Sequence, residues 1–414
     1  MDDIQHTDVL VVGGGAAGVA AAVAAARNGS KVTLLERNAY LGGKATAAEV
    51  GTVCGLYAFS RSERSEYIVK GFAKEFADAL QKGSGTTPLH NNEGLHYLPY
   101  DIEVFKNNCL RFLSENNVAV YLNTILEKVN INNNNIESVS IKTSDQTIQC
   151  SVKSVVDCSG DAAISRAADL EIISSDRYQA AAQVFSLENV HEENEARLGM
   201  ILMKALRFAI DEKKVPDFFD RVYIVQGSLK NNCVSLKLGI PVSVTYLNGN
   251  LEEINSSAND FIKDLTGFLV KNVPTFKNAF IKSIAPEAGI RVGTRSMGKY
   301  ILTEEDILSC RKFDNGIANG SWPIEEWEQH KRVKMRYFNY DDYYQVPATC
   351  LQSKTIQNLF MAGRNISATD AAIASARVMG TCLQTGYAAG FLAVANALGI
   401  GEQDVINSIQ NHQL

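Results

Sequence analysis

The chain has 414 residues, 46% of them hydrophobic and 21% charged, which is enough for two ordinary globular domains and unlike collagen, a disordered tail or a small disulfide scaffold. Forty Lys and Arg against 46 Asp and Glu leave a net charge of -6, so there is no global basic field to collect phosphates, and no nucleic-acid partner is expected. The eight cysteines form no C-x-x-C pair, so no zinc or other metal site and no redox couple of that kind is expected; they read as reduced thiols of a cytoplasmic protein.

Asp8 to Val12 predicts a short apolar strand that runs into Gly13-Gly14-Gly15-Ala16-Ala17-Gly18 and then into an Ala-rich helix ending at Arg27. In such a strand–turn–helix, Gly13 makes the turn, Gly15 lets the backbone approach a pyrophosphate, and Gly18 lets the helix lie close to the sheet. The helix start offers unpaired N–H groups and a positive dipole end to the phosphates. Asn28-Gly29 is a stop signal. Lys31 to Leu35 is a second strand, and it ends on Glu36, eighteen residues beyond Gly18. A carboxylate there accepts hydrogen bonds from an adenosine ribose and repels a 2′-phosphate. The glycines break the apolar run Val9 to Ala26, and no Lys or Arg precedes it, so it reads as neither a membrane span nor a secretory signal. The later run, Gly386 to Ile400, reads as a buried helix.

The segments Val11-Val12-Gly13-Gly14-Gly15-Ala16-Ala17-Gly18, Leu34-Leu35-Glu36-Arg37 and Leu41-Gly42-Gly43 together resemble the FAD-dependent oxidoreductases of the glutathione-reductase-like superfamily, whose members carry two dinucleotide-binding domains. The resemblance implies FAD, with Gly42 and Gly43 passing the flavin-side phosphates. It also brings Ala16, Ala17, Arg37, Lys44 and Leu126 into the cofactor-binding set.

Helical spacing follows at Ile68 to Leu80 and Asp101 to Glu115, and strands at Val118 to Leu122 and Thr124 to Val129. Asn130 to Asn135 is a turn, after which Ile136 to Thr143 and Thr147 to Val156 predict a β-meander. The meander ends in Asp157-Cys158-Ser159-Gly160-Asp161, similar to the family's Asp-x-Thr/Ser-Gly-Asp motif under the adenosine; Ser159, Gly160 and Asp161 are therefore cofactor candidates. Between Ala167 and Ile284 no second phosphate loop occurs. A helix near Ala196 to Lys213, strands near Arg221 to Gln226 and Cys233 to Tyr246, and a helix near Ala258 to Val273 suggest an inserted α+β domain.

Arg291 to Leu302 resembles an arginine-centred strand of the same family, and Thr303 with Asp306 makes a helix N-cap. Asn358 to Ser367, with Gly363 and Arg364, resembles the return of the chain into the FAD domain. A helix beginning near Ala371 and Ala372 would then aim its N-terminus at the flavin pyrimidine. The expected architecture is α/β. A Rossmann-like FAD-binding domain, with central parallel sheet, β-meander and helices, spans 1–165 and 286–414, and an inserted α+β substrate domain spans 166–285.

Candidates for chemistry are fewer. Cys54 follows Gly42-Gly43 by a short loop, which suggests a covalent flavin link, a thiol nucleophile, a substrate contact, or simply a small buried side chain. Arg291 and Arg295 share a strand face and suit either an anionic substrate or structural ion pairs. Tyr343 and Tyr344 belong to a tyrosine-rich run that either lines a pocket with a phenol as proton donor or covers a domain seam. His330 is a base candidate within a charged run that otherwise reads as a solvated face. These features predict hydride transfer between a small amine, alcohol or C–C bond and flavin N5, without a dedicated NAD(P)H domain. Oxygen or a partner protein is the expected electron acceptor, and a homodimer is compatible. An aromatic hydroxylase is disfavoured because Ala362-Gly363-Arg364 replaces a Gly-Asp, and a halogenase because its tryptophan signature is missing. A flavin-dependent tRNA-modification factor and a non-catalytic flavin-binding protein are the alternatives.

Overall fold

Five parallel strands, apolar enough to be covered on both faces, set the frame. In the computed structural model, which describes residues 6–144, 146–175, 178–245, 250–328 and 333–414, His6–Val12 pairs with Val32–Leu35 on one side and Thr147–Asp157 on the other. Ala119–Tyr121 extends the sheet beyond Val32–Leu35. Thr147–Asp157 serves two partners along one edge. Its first half carries the antiparallel meander of Ile125–Asn132 and Asn135–Lys142, and its second half receives Leu359–Met361 from the far end of the chain. The meander turns at Asn133 and Asn134, both at positive φ, which explains the run of asparagines.

The helix Ala16–Arg27 is Ala-rich because it is buried nearly all round. It lies parallel to Met379–Leu398. A Cβ on Gly386 would fall 2.1 Å from the Ala17 carbonyl oxygen, and one on Gly390 2.1 Å from that of Ala21, so only glycine lets the two backbones meet. Both helices start at the same end of the molecule, beyond the C-terminal ends of the parallel strands.

The inserted α+β substrate-binding unit is an antiparallel sheet in the order Val222–Ile224, Cys233–Gly239, Ala182–Glu188, Phe280–Ile284, with the helices Glu195–Asp211 and Asn250–Asn272. The strand expected to reach Tyr246 stops at Gly239, just before Pro241, and Tyr246 itself lies outside the described residues. The helix expected from Ala258 begins earlier, because Ile254 already continues the buried stripe of Ala258, Ile262, Leu265 and Leu269.

Arg291 to Leu302 yields only a two-residue strand, Arg295–Ser296, paired with Ile172–Ile173. The fully buried Arg295 side chain holds the rest as loop by donating to the carbonyls of Gly293 and Ala368. Thr303 and Asp306 form the capping box of Glu304–Leu308. The helix expected near Ala371 is the short Asp370–Ala376, which bends by 95° into Met379–Leu398. No single helix among the described residues is long and apolar enough to cross a membrane; that bent pair meets the length and composition alone, and most of it is buried.

Candidate functional site

A cavity of about 320 Å³ lies at the C-terminal ends of the parallel strands, the place where an open α/β sheet leaves a crevice. Gly13, Gly15, Ala16 and Ala17 line it from the first turn; Glu36, Arg37, Gly42, Gly43 and Lys44 from the second strand and its loop; Leu126, Ser159, Gly160 and Asp161 from the meander side; and Gly363 and Arg364 from the returning chain. Gly18 is not on the wall. A Cβ there would fall 1.8 Å from the Gly13 carbonyl oxygen, which is the close helix-to-sheet packing expected of it. Ala371 and Ala372 are also off the wall, and their place is taken by Arg377, Met379 and Cys382. The bend after Asp370–Ala376 is the reason: the helix end that meets the cavity is that of Met379–Leu398, which begins directly after the two-residue break.

At one end, the buried Glu36 carboxylate accepts from Gly14 N at 2.7 Å and Asn38 N at 2.9 Å. Burial raises its pKa against these two hydrogen bonds, and each oxygen keeps a lone pair for a hydroxyl donor. In the middle, Gly15 and Gly43 approach each other so closely that a Cβ on Gly43 would lie 2.9 Å from the Gly15 Cα. Gly15 caps a helix whose first turn contains no acidic residue, so the positive helix end stays uncompensated where a pyrophosphate would pass. Asp157 shapes the facing loop by accepting from Ser159 N, Ser159 Oγ and Ile164 N. Lys44 and Arg37 both pair with Glu287, at 2.5 and 3.0 Å, which ties this loop to the chain leaving the inserted unit.

The other end opens at Arg377 onto a set of charges that the sequence does not group. Glu325 accepts from the indole N–H of Trp322 at 2.9 Å and of Trp327 at 2.7 Å, and Arg377 Nη2 stands 3.9 Å from its carboxylate. The Arg291 guanidinium lies 4.1 Å from the Trp327 ring centre and donates to the Ala180 carbonyl at 2.5 Å. Lys237 reaches the same ring at 4.9 Å. Burial would raise the pKa of Glu325, but Arg377, Trp322, Lys237 and Arg291 outweigh it and hold the carboxyl below its usual range. Burial and then Arg291 push Lys237 down to about 8, and burial and then Arg377 act against the charge on Arg291. Cys54, half-buried on the strand Thr52–Cys54, borders these charges, and burial followed by Glu325 pushes its thiol up to about 12.

The remaining candidates stand elsewhere. Arg295 spends its guanidinium on two carbonyls and an ion pair with Asp370, so it pins the short helix rather than facing a ligand. Tyr344 is buried and exchanges a 2.7 Å hydrogen bond with Ser375, whose hydroxyl donates to the Trp322 carbonyl; it supports the Trp322–Glu325 segment from behind. Tyr343 lies over the Lys312 ammonium at 4.0 Å, away from the cavity wall. His330 lies outside the described residues. Among the described residues no three His, Cys, Asp or Glu are grouped to hold a metal ion. No local sequence signal marks Lys237, Glu325, Trp327 or Arg377, which sit singly in stretches without a motif.

A Rossmann-like sheet whose glycine turn, buried acid at the end of the second strand and second glycine loop line one cavity defines an FAD-binding flavoprotein, and the residues present fit that cofactor. The chain belongs to the FAD dependent oxidoreductase family, which it matches over residues 8–408. No curated protein matches it. Among solved structures it is similar in fold to the OxyS anhydrotetracycline hydroxylase from Streptomyces rimosus, at TM-score 0.53 and 10% identity, and to BexE, studied for oxidation during BE-7585A biosynthesis, at 0.52 and 12%. In both comparisons 98% of this chain is covered, but it spans only 65% of the length of the other protein.

These comparisons correct the expected chemistry. The two structures that share the fold are a hydroxylase and a protein of biosynthetic oxidation, not hydride-transfer dehydrogenases, so hydride passing from an amine, alcohol or C–C bond to flavin N5 no longer stands as the expected chemistry. The objection to a hydroxylase also loses its force: a departure at Ala362-Gly363-Arg364 does not take the chain out of a fold that a hydroxylase shares.

Proposed function

We propose that the protein is an FAD-dependent oxygenating enzyme that acts on a small organic substrate with O2 as co-substrate. The observation that carries the reading is the single cavity joining the Glu36 end, built for an adenosine, to the recessed charges at Arg377, within a family and fold of FAD oxidoreductases. When bound, FAD supplies two-electron reduction of O2, the electrons coming from an external hydride donor. In this reading Glu36 holds the ribose, Gly13, Gly15, Gly43 and the first helix end hold the pyrophosphate, and the end of Met379–Leu398 faces the flavin pyrimidine. Arg377 and Cys54 border the space where substrate sits. Residues 166–285 serve as the substrate domain and the two flanking segments as the FAD domain. A distant kinship with the glutathione-reductase-like superfamily accounts for the shared N-terminal glycine and acid pattern.

The test is reoxidation. Protein reduced photochemically without air should return to the oxidised spectrum on admission of O2 at least as fast as free reduced FAD. A reduced flavin that persists in air-saturated buffer yet is reoxidised at once by a dye acceptor refutes an oxygenating role.

A further inference from the structure

The charge cluster beyond the cavity is unbalanced. Lys237, Arg291 and Arg377 are recessed cations, while among the described residues Glu325 is the one carboxylate whose oxygens stand among them, and both of those oxygens are already held by indole N–H groups. Lys237 Nζ makes no hydrogen bond or ion pair among the described residues, only ring contacts to Trp327 and Tyr223 at 4.9 and 5.8 Å. Among the described residues Arg291 uses one donor, on Ala180 O, and Arg377 directs Nη2 to the Glu325 carbonyl at 3.4 Å while its Nε is buried with no partner. Cations withdrawn from water with their donors unspent are strongly unfavourable unless an anion completes them.

We propose that Lys237, Arg291 and Arg377 together bind the carboxylate of a small organic acid, which makes the substrate of this enzyme an organic carboxylate. Three elements converge on this one point: a strand of the inserted sheet brings Lys237, the loop leaving that sheet brings Arg291, and the bend before Met379–Leu398 brings Arg377. Two planar guanidinium forks match the two oxygens of a carboxylate, and Lys237 adds a compact third charge. Trp327, Trp322 and Tyr223 wall the site with rings, which suits a molecule with one charged end and an apolar body better than an inorganic anion. Arg377 lines the cavity as well, so the acid would be anchored at the flavin end. The inference rests on the flavoprotein reading for that placement, though not for the anion site itself.

The FAD-loaded protein is titrated calorimetrically with benzoate, with benzamide as the neutral isostere, and with inorganic phosphate, while the flavin spectrum is followed. Benzoate should bind and perturb the spectrum, and benzamide should bind about tenfold more weakly or worse. Lys237→Met and Arg291→Met should each weaken benzoate about tenfold with FAD content unchanged. Glu325→Gln, which removes the opposing charge and keeps an acceptor for one of the two indole N–H groups while setting its amide NH2 against the other, should tighten benzoate; this arm reads out even if a cation variant folds poorly. Equal affinity for benzoate and benzamide, unchanged benzoate affinity in both cation variants, or phosphate binding as tightly as benzoate overturns the proposal. Colourless wild-type protein that still binds benzoate through Lys237 and Arg291 refutes the flavin reading and supports this one, whereas yellow protein that ignores benzoate refutes this one alone.

Discussion

Gly43 stands at φ +55° with its α-carbon pressed towards that of Gly15, so Gly43→Ala adds both backbone strain and a 2.9 Å contact. The expected result is loss of FAD together with about 1–3 kcal/mol of stability, read from bound flavin and a urea melt. Gly15 differs: a Cβ there has ordinary room, 3.7 Å from Gly43, and faces the cavity. Gly15→Val should therefore abolish FAD binding while the unliganded protein melts where it did before. Cys54, with its thiol pushed up to about 12, stays protonated at neutral pH and is a poor nucleophile. Acid-precipitated protein should release its flavin, and colour that stays with the pellet would show a covalent link. Lys237 carries the opposite lesson. Its folded-state pKa, about 8 against an ordinary 10.5, means that its charge opposes folding most below pH 8 and progressively less as pH rises towards 10.5. Lys237→Met should stabilise the unliganded protein by ~1–3 kcal/mol at pH 7, and that advantage should shrink between pH 8 and 10.5 in pH-resolved melts.

The seam between Ala16–Arg27 and Met379–Leu398 fixes where both helix ends meet the cavity. Gly386→Ala would drive a methyl to 2.1 Å from the Ala17 carbonyl oxygen and part the two helices. Thermal melts should show a loss of about 1–3 kcal/mol, with FAD affinity falling alongside it because Met379 and Ala17 line the same wall. Thr303→Ala removes one arm of a capping box remote from that wall and should cost about 1 kcal/mol with FAD binding intact. The dinucleotide half of the site was legible in the sequence because its signals are local: strand, glycine turn, helix, strand and acid follow one another within 36 residues. Of the charged end, only Arg291, with Cys54 beside it, stood out in the sequence. Lys237, Arg291, Glu325 and Arg377 come from a strand, a loop, a hairpin and a helix break, and no periodicity links them before the chain folds. The break itself was hidden, since Ala374-Ser375-Ala376-Arg377-Val378-Met379 contains neither Gly nor Pro to mark a 95° bend.

The protein places its most recognisable motif in a cavity that Arg377 also lines, and builds that cavity from elements at both ends of the chain. The central sheet is incomplete until Leu359–Met361 docks on Thr147–Asp157, and the first helix has no cover on one side until Met379–Leu398 arrives. Contacts separated by most of the chain's length are slow to form, and here they cannot begin early. During synthesis the alanine-rich first helix must wait, exposed, while more than 350 further residues emerge. The glycine fingerprint that looks self-sufficient in the first 36 residues is thus expected to be completed late in folding. Chains truncated at residue 375 should bind no FAD, although every residue of the fingerprint is present, and should be captured by a nascent-chain chaperone more strongly than the full chain.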